Sequence, residues 1–231
     1  MFIAGIQKLT LLDYPGRVAC TVFTAGCDLR CPFCHNASLA LPGRPRDSME
    51  AGEVLAFLKK RAGVLDGVAV TGGEPLLHPG LAELLGEIKA LGYAVKLDTN
   101  GTFPFRLREI VGAGLVDHVA MDIKAAPENY ARLVGLPGFD IAPVRESAEY
   151  LMGCGADYEF RTTALKGLHT DAYFEGIADW IAGAKEYYIQ EFKDSGDLIA
   201  GEGLGAFTAG EMARFADIVR PKVPAVRLRG I

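Results

Sequence analysis

The stretch Gly67-Val-Ala-Val-Thr-Gly-Gly-Glu74 is a short apolar segment that ends in a polar, glycine-rich turn, and a helical pattern follows it over Gly80–Leu91. The same order of apolar strand, polar turn and helix recurs along the chain. Successive strand–helix units predict a parallel sheet covered by helices. Uninterrupted apolar strands suit such a sheet, because both of its faces are buried.

The predicted strands are apolar and rich in β-branched residues. They are Arg17–Thr24, Gly67–Thr71, Tyr93–Asp98, Asp117–Asp122, Tyr158–Thr163 and Glu186–Phe192, with a short strand-like segment at Ala225–Leu228. The predicted helices, which carry apolar residues at helical spacing, are Ala51–Arg61, Gly80–Leu91, Phe105–Gly112, Pro143–Met152, Thr170–Gly183 and Thr208–Val219. Eight units would close a barrel, whereas this chain supplies six. We therefore predict an α/β fold, an open partial (β/α)6 barrel with Phe2–Leu12 as an antiparallel edge strand, in a single domain over residues 1–231.

Composition excludes several classes of protein. Half of the residues are hydrophobic and the formal net charge is −5, with no basic arm that would neutralise nucleic-acid phosphates. No segment approaches the roughly 18 apolar residues of a membrane span. The segment Met1–Leu12 lacks the layout of a signal peptide. We expect a cytoplasmic protein with neither a nucleic-acid nor a membrane partner.

The five cysteines are unevenly distributed. Cys27, Cys31 and Cys34 fall within eight residues, while Cys20 and Cys154 lie apart and are expected to behave as small buried hydrophobic residues. An odd number with a tight cluster is a poor disulfide framework. The cluster therefore indicates a metal or iron–sulfur site.

The spacing Cys-x-x-x-Cys-x-x-Cys favours an iron–sulfur cubane over the alternatives. Three thiolates can hold three corners of a cubane and leave the fourth iron open, whereas electron-transfer clusters are normally held by four cysteines. A structural zinc site would need a fourth ligand, for which His35 is the nearest candidate. A redox pair of Cys31 and Cys34 would leave Cys27 unexplained.

Polar motifs follow each predicted parallel strand. They are Cys27–Cys34, Gly72–Glu74, Asp98–Asn100, Met121–Lys124, Arg161–Thr163 and Gln190–Lys193. Because parallel strands point their carboxyl ends at one rim, where barrel enzymes place their chemistry, these motifs predict an active site there.

The motifs resemble those of a known family. In order, they are Asp-Tyr-Pro-Gly at 13–16, the cysteine loop ending in Cys-His-Asn at 34–36, Gly-Gly-Glu-Pro at 72–75, Asp-Thr-Asn-Gly at 98–101 and Met-Asp-Ile-Lys at 121–124. The chain resembles the radical S-adenosylmethionine superfamily and, within it, the glycyl-radical-enzyme activases. It is most similar to the activating proteins of anaerobic ribonucleoside-triphosphate reductase. No cysteine lies between His35 and Gly72, so one cluster is predicted.

The resemblance implies a chemistry and its cofactors. Cys27, Cys31 and Cys34 would hold a [4Fe–4S] cluster whose open iron binds the methionine part of S-adenosylmethionine. A flavodoxin- or ferredoxin-type donor would supply one electron, which breaks the bond between sulfur and C5′. The resulting radical would abstract a hydrogen atom from a backbone glycine of a glycyl radical enzyme, with the difficult chemistry carried by the cofactor.

The resemblance also implies roles for individual residues. Gly72 and Gly73 would let the backbone approach the cofactor, the Glu74 carboxylate would take its ammonium group, and Lys124 would pair with its carboxylate. The other implied contacts are Phe33 and His35 for adenine, Asp98, Thr99, Asp122 and the Met121 backbone for a monovalent cation, and Asp13 for the target glycine loop. Arg161 and Lys193, at the last two strand ends, are candidates for ribose or carboxylate contacts. Tyr14 departs from the family, whose members often carry glycine there.

Plainer interpretations of these residues stay open. Asp98 could cap a turn with Asn100 and Gly101, and Lys124 could simply pair with an aspartate. His78, His118 and His169 are interpreted as structural or surface residues. At the level of function, the alternatives are an enzyme acting on a small molecule, such as a deazaguanine synthase, and a non-catalytic metal-binding module.

Overall fold

The computed structural model describes residues 2–41, 48–194 and 196–231. Its strands are β1 (Ile3–Thr10), β2 (Ala19–Thr24), β3 (Gly67–Gly72), β4 (Ala94–Thr99), β5 (His118–Asp122), β6 (Tyr158–Ala164), β7 (Tyr187–Glu191) and β8 (Val226–Arg229). Its helices are α1 (Ala37–Ala40), α2 (Ala51–Lys60), α3 (Leu81–Ala90), α4 (Pro104–Gly112), α5 (Tyr130–Leu133), α6 (Ala142–Gly153), α7 (Asp171–Trp180) and α8 (Ala209–Val219). Two 3₁₀ turns lie at Pro75–Leu77 and Pro127–Asn129.

All eight strands belong to one sheet, whose spatial order follows the chain from β1 to β8. β1 pairs with β2 in antiparallel orientation, and every later neighbouring pair is parallel. β1 and β8 are the two edges, so the sheet is open. The open partial barrel with an antiparallel N-terminal strand is confirmed, and the single-domain organisation stays a prediction.

The element bounds differ from the expected ones mainly where turns intervene. β2 begins at Ala19 rather than Arg17, because the Arg17 amide donates to Tyr14 O at 3.1 Å and closes the turn that contains Pro15 and Gly16. Helices α1 and α5 were not expected. Each has four residues, which is too few to show a helical period in the sequence.

The two faces of the sheet have different chemistry, as β4 shows. Val95 and Leu97 are fully buried, whereas Lys96 and Asp98 form an ion pair. Alternate residues of a strand point to opposite faces, so one face is apolar and packs under the helices while the other carries charge. Charged residues inside the partial barrel thus share a face with the expected site.

Helices α7 and α8 pack on the apolar face through stacked aromatic rings. The rings of Phe174 and Phe215 have centroids 4.2 Å apart, and Phe207 meets Phe215 edge-on at 4.8 Å. Phe174 is fully buried. Such rings bury a large apolar area and gain from their geometry, so they hold α7 and α8 together.

No helix in the part of the chain that the structure describes is long and apolar enough to cross a membrane.

Replacing Phe174 by alanine is expected to lower the free energy of unfolding by about 3–5 kcal/mol, because it leaves a cavity between α7 and α8. Urea unfolding followed by circular dichroism measures the change. Phe105→Ala is the control: this ring is 78% exposed, and its loss should change the free energy by less than about 0.5 kcal/mol. Equal losses in the two variants would contradict the assigned packing role.

Candidate active site

A cavity of about 430 Å³ opens at the carboxyl ends of the parallel strands. Its size lies within the usual range for small-molecule sites. The predicted site residues that line it are Asp13, Cys27, Cys31, Phe33, Cys34, His35, Gly72, Gly73, Asp98, Thr99, Asp122, Lys124 and Arg161. Gln7, Asn100, Thr163 and Gln190 also line it. The structure therefore brings most of the predicted residues together around one cavity.

The cysteine loop is held in place by its own backbone and by α5. The Cys34 amide donates to Cys31 O at 3.0 Å, and the Arg30 amide donates to Val134 O at 2.9 Å. The Arg30 guanidinium donates to Cys27 O at 2.6 Å and to Leu29 O at 2.7 Å. These bonds shape the loop so that all three thiols face the cavity.

The three thiols are free and set among apolar groups, with Leu29 and Phe33 almost fully buried beside them. Burial raises the pKa of Cys27 to about 12 and that of Cys31 to about 11. Iron is bound by the thiolate form, so binding a cluster releases protons from this loop.

The donor set fits a cubane better than a single ion. Within residues 2–41, 48–194 and 196–231, no three His, Cys, Asp or Glu side chains form a group that could hold one metal ion. A structural zinc ion needs four ligands around one centre. A cubane instead binds each thiolate to a different iron, and three cysteines leave one iron without a protein ligand.

The turn after β3 lies directly against the start of the cysteine loop. The Gly73 amide donates to Thr24 O at 2.9 Å, and the Glu74 amide donates to Gly26 O at 2.8 Å. A Cβ atom on Gly73 would lie 1.9 Å from Gly26 O. Glycine is therefore required here by the close approach of two protein backbones as well as by access to the cavity.

The Glu74 carboxylate is not among the groups that line the cavity, and its contact with the ammonium group of the cofactor stays a prediction. It is fully buried and accepts hydrogen bonds from Leu76 N at 3.0 Å, Thr99 Oγ1 at 2.8 Å and Asn100 N at 2.7 Å. Burial raises its pKa to about 8, although these donors act in the opposite direction. Its oxygens thus join the turns that follow β3 and β4.

The turn after β4 is capped by residues other than the one we considered. The Gly101 amide donates to Thr99 Oγ1 at 3.1 Å, and the Thr102 amide donates to Asn100 Oδ1 at 2.9 Å. The Asp98 carboxylate points instead into the charged interior of the partial barrel.

Two aspartates and three cations form a network beneath the cavity. Arg161 bridges the carboxylates of Asp98 and Asp122, with an N–O distance of 3.0 Å to each. Lys96 pairs with Asp98 at 2.5 Å and Lys124 pairs with Asp122 at 2.8 Å. Three positive and two negative groups leave one excess positive charge, which suits an anionic ligand group.

The network fixes the ionisation of its members. Burial alone would raise the pKa of Asp122, but the charges of Arg161 and Lys124 lower it to about 2. The pKa of Asp98 is also lowered, by Arg161 and Lys96 against the effect of burial. Both aspartates are therefore ionised at neutral pH. Lys124 pairs with Asp122, as the plainer interpretation expected. The excess positive charge of the network can still bind a further anionic group.

The backbone of the Met-Asp-Ile-Lys segment is clamped by side chains from three later elements. Thr162 Oγ1 donates to Ile123 O at 2.5 Å, and the Lys124 amide donates to Tyr130 Oη at 3.3 Å. His169 Nε2 lies 3.0 Å from Lys124 O, while its Nδ1 accepts from Leu165 N at 3.2 Å. His169 is therefore structural, and no sequence motif marks these clamps.

The side chain of Asp13 faces the cavity, whereas that of Tyr14 packs away from it. Asp13 lines the cavity and accepts a hydrogen bond from Thr21 Oγ1 at 2.5 Å. Tyr14 is buried, and its ring lies against Gly67 at the start of β3. The ring is thus outside the cavity lining, so the departure from glycine at this position does not narrow the mouth.

Lys193 is not part of the site. Its side chain is 73% exposed, lies 3.7 Å from the Glu191 carboxylate, and does not line the cavity. The Met121 side chain is fully buried next to Gly101, also outside the lining. The expected contact of Lys193 with a cofactor is therefore not supported.

Sequence comparisons agree with this site. A sequence model described as the Radical SAM superfamily matches residues 21–181. A protein of Methanocaldococcus jannaschii, whose name describes a candidate glycyl-radical enzyme activating enzyme, is 30% identical over 198 residues, which cover 83% of this chain and 80% of that protein. The chain therefore belongs to the radical S-adenosylmethionine superfamily of enzymes and, within it, to the family of glycyl-radical-enzyme activating enzymes.

Two further matches define the breadth of the similarity. The 7-carboxy-7-deazaguanine synthase of Hyperthermus butylicus is 34% identical over 161 residues, covering 62% of this chain and 66% of the synthase. The crystal structure of a domain of pyruvate-formate lyase-activating enzyme from Bacteroides vulgatus superposes with a TM-score of 0.58 at 15% identity. That superposition covers 71% of this chain and 99% of the domain, and at this identity it shows a shared fold.

Gly73→Ala is expected to reduce the iron content after anaerobic reconstitution severalfold, because the added methyl group displaces the cysteine loop. Iron and sulfide analysis measures the change. Gly86→Ala in α3 is the matched control, since its Cβ would meet nothing closer than 3.9 Å. Full iron content in Gly73→Ala would show that the turn and the loop move apart without consequence.

The free energy of unfolding is expected to decrease as the pH is lowered, because of His169. Burial lowers its pKa from 6.5 to about 4, so between these values the unfolded state binds the extra proton and folding is opposed. Between pH 7.5 and pH 5 the imidazole should cost about 2 kcal/mol. Urea unfolding at both pH values should show this loss in the wild type but not in His169→Gln. A loss of equal size in the variant would assign the effect to other groups.

Proposed function

We propose that this chain activates a glycyl radical enzyme by abstracting a hydrogen atom from its glycine backbone, and that the target is an anaerobic ribonucleoside-triphosphate reductase. The observation that carries the proposal is the set of three free thiols facing a cavity whose mouth also holds Asp13. The similarity to an activating enzyme over four-fifths of its length supports it. The particular target rests on the motifs at 13–16, 34–36, 72–75, 98–101 and 121–124.

Cys27, Cys31 and Cys34 would hold the cluster, and the cavity beside them would receive S-adenosylmethionine. When bound and reduced, these groups supply the carbon radical that removes the hydrogen atom. Leu29 and Phe33, both almost fully buried beside the thiols, would exclude water from that end of the cavity.

The charged network would orient the methionine end of the cofactor. Lys124 Nζ and the Arg161 guanidinium both border the cavity, and their charges exceed those of the two aspartates once Lys96 is included. They would take the carboxylate of the cofactor. The Glu74 carboxylate, which follows the Gly72–Gly73 turn at the cavity, would take the ammonium group.

Other contacts are proposed from their places around the cavity. Phe33 and His35 would meet the adenine ring, and burial lowers the pKa of His35, so its imidazole is neutral at pH 7. Asp13 would accept hydrogen bonds from the backbone of the target glycine loop. The flavodoxin- or ferredoxin-type electron donor, the cytoplasmic location and the lack of a nucleic-acid partner stay predictions.

The monovalent cation also stays a prediction. Asp98 and Asp122 already contact three cationic side chains, and Thr99 Oγ1 is hydrogen-bonded to Glu74. The negative charge of the two aspartates is thus already offset by cationic side chains of the protein itself.

A second candidate function is a synthase that acts on a small heterocycle. The 34% identity to a 7-carboxy-7-deazaguanine synthase favours it. Such an enzyme would form its product without any protein substrate. The two functions therefore differ in the substrate that must be added to the reconstituted enzyme: a glycyl radical enzyme for the activase and a small molecule for the synthase.

The reconstituted wild type, given S-adenosylmethionine and dithionite without oxygen, is expected to form 5′-deoxyadenosine, and Cys31→Ala should form at least about 100-fold less. Added anaerobic reductase should then show the doublet of a glycyl radical by electron spin resonance. Cys154→Ala is the matched control, because this thiol lies outside the cysteine loop, and it should match the wild type.

The outcomes separate the candidates. A glycyl radical on the reductase supports the proposed target, and a radical on another glycyl radical enzyme alone replaces it. Formation of 7-carboxy-7-deazaguanine, with no glycyl radical on any partner, would establish the second candidate. Undiminished 5′-deoxyadenosine formation by Cys31→Ala would exclude the mechanism altogether.

A further inference from the structure

Asn100, which follows β4, reaches the cysteine loop from the neighbouring turn. It is 5% exposed, and its amide nitrogen lies 3.8 Å from Cys27 Sγ and 2.9 Å from Asp28 Oδ1. The sequence assigns it only to a possible turn. These two contacts connect the start of the cysteine loop, which follows β2, to a side chain that follows β4.

The orientation of the Asn100 amide is set by its other partners. Its Oδ1 accepts from Thr102 N at 2.9 Å and from Thr102 Oγ1 at 2.7 Å. Because that oxygen is occupied by two donors, the NH₂ group is directed toward Cys27 and Asp28. Its backbone amide donates to Glu74 Oε2 at 2.7 Å, which fixes the position of the whole residue.

Cys27 Sγ has two neutral hydrogen-bond donors and one carboxylate near it. The Leu29 amide donates to Cys27 Sγ at 3.4 Å, as the Asn100 amide does from the other side. The Asp28 carboxylate lies 3.9 Å from the same sulfur. Hydrogen bonds to cluster sulfurs and nearby charge both set reduction potentials. A donor stabilises the more negative, reduced state, whereas a carboxylate disfavours it.

We propose that Asn100 is a positioning residue that orients Cys27 and raises the reduction potential of the cluster bound by Cys27, Cys31 and Cys34. It does so by donating to the Cys27 sulfur and by offsetting the negative charge of the Asp28 carboxylate through a second N–H hydrogen bond. Glu74 supports this arrangement indirectly, because its carboxylate accepts a hydrogen bond from the Asn100 backbone amide. The inference rests on the proposed function only in that the loop carries a cluster.

The test measures the midpoint potential of the reconstituted cluster by redox titration followed by electron spin resonance. Asn100→Asp replaces the donor by a carboxylate of the same shape and should lower the potential. Asn100→Ala should lower it less. Asp28→Asn removes the negative charge while keeping an oxygen that can accept from Asn100, and it should raise the potential. The control Asn129→Ala, which lies outside the cavity lining, should match the wild type.

Iron content is measured on the same samples, and we expect every variant to retain at least half of the wild-type cluster. If Asn100→Ala loses its cluster, the two shape-conserving variants, Asn100→Asp and Asp28→Asn, decide the question. Potentials equal to that of the wild type in both, or shifts of the same sign, would overturn the proposal. The titration needs no protein substrate, so a failure to activate any glycyl radical enzyme leaves this result unaffected.

Discussion

The close contact between the turn after β3 and the start of the cysteine loop is the constraint on which the site depends. A side chain at Gly73 would overlap Gly26 O, so the two backbones can lie together only because residue 73 is glycine. Two backbone hydrogen bonds, from Gly73 and Glu74, hold them there. The position of the first thiol therefore follows from the path of a neighbouring strand, and not from the cysteine loop alone.

The buried charges inside the partial barrel likewise depend on residues from several strands. Arg161 comes from β6, Asp98 from β4 and Asp122 from β5, and each would be costly to bury alone. A guanidinium can bridge two carboxylates at once, since its donors form a planar fork. The network thus fixes three neighbouring strand ends relative to one another and retains one positive charge for a ligand.

Sequence reasoning predicted the sheet, its edge strand and most of the cavity lining, because parallel strands bring their carboxyl ends to one rim whatever their detailed packing. It did not predict that the Glu74 carboxylate accepts hydrogen bonds from Leu76 N, Thr99 Oγ1 and Asn100 N, because a carboxylate after a glycine pair gives no sign of its protein partners. It also assigned Lys193 to the rim, since proximity in sequence to a strand end does not give the direction of a long side chain. The four-residue helices α1 and α5 were invisible to periodicity.

The residues that escaped prediction share one property: they act on backbone atoms or sulfur from far away in the sequence. His169 contacts the Lys124 carbonyl across 45 residues, and Asn100 reaches Cys27 across 73. Such bonds leave no spacing rule, yet they decide where the motif residues point. The motifs specify which groups are present at the rim, whereas these distant hydrogen bonds set their distances and electrostatics. A variant can therefore keep every motif and still alter the chemistry of the site.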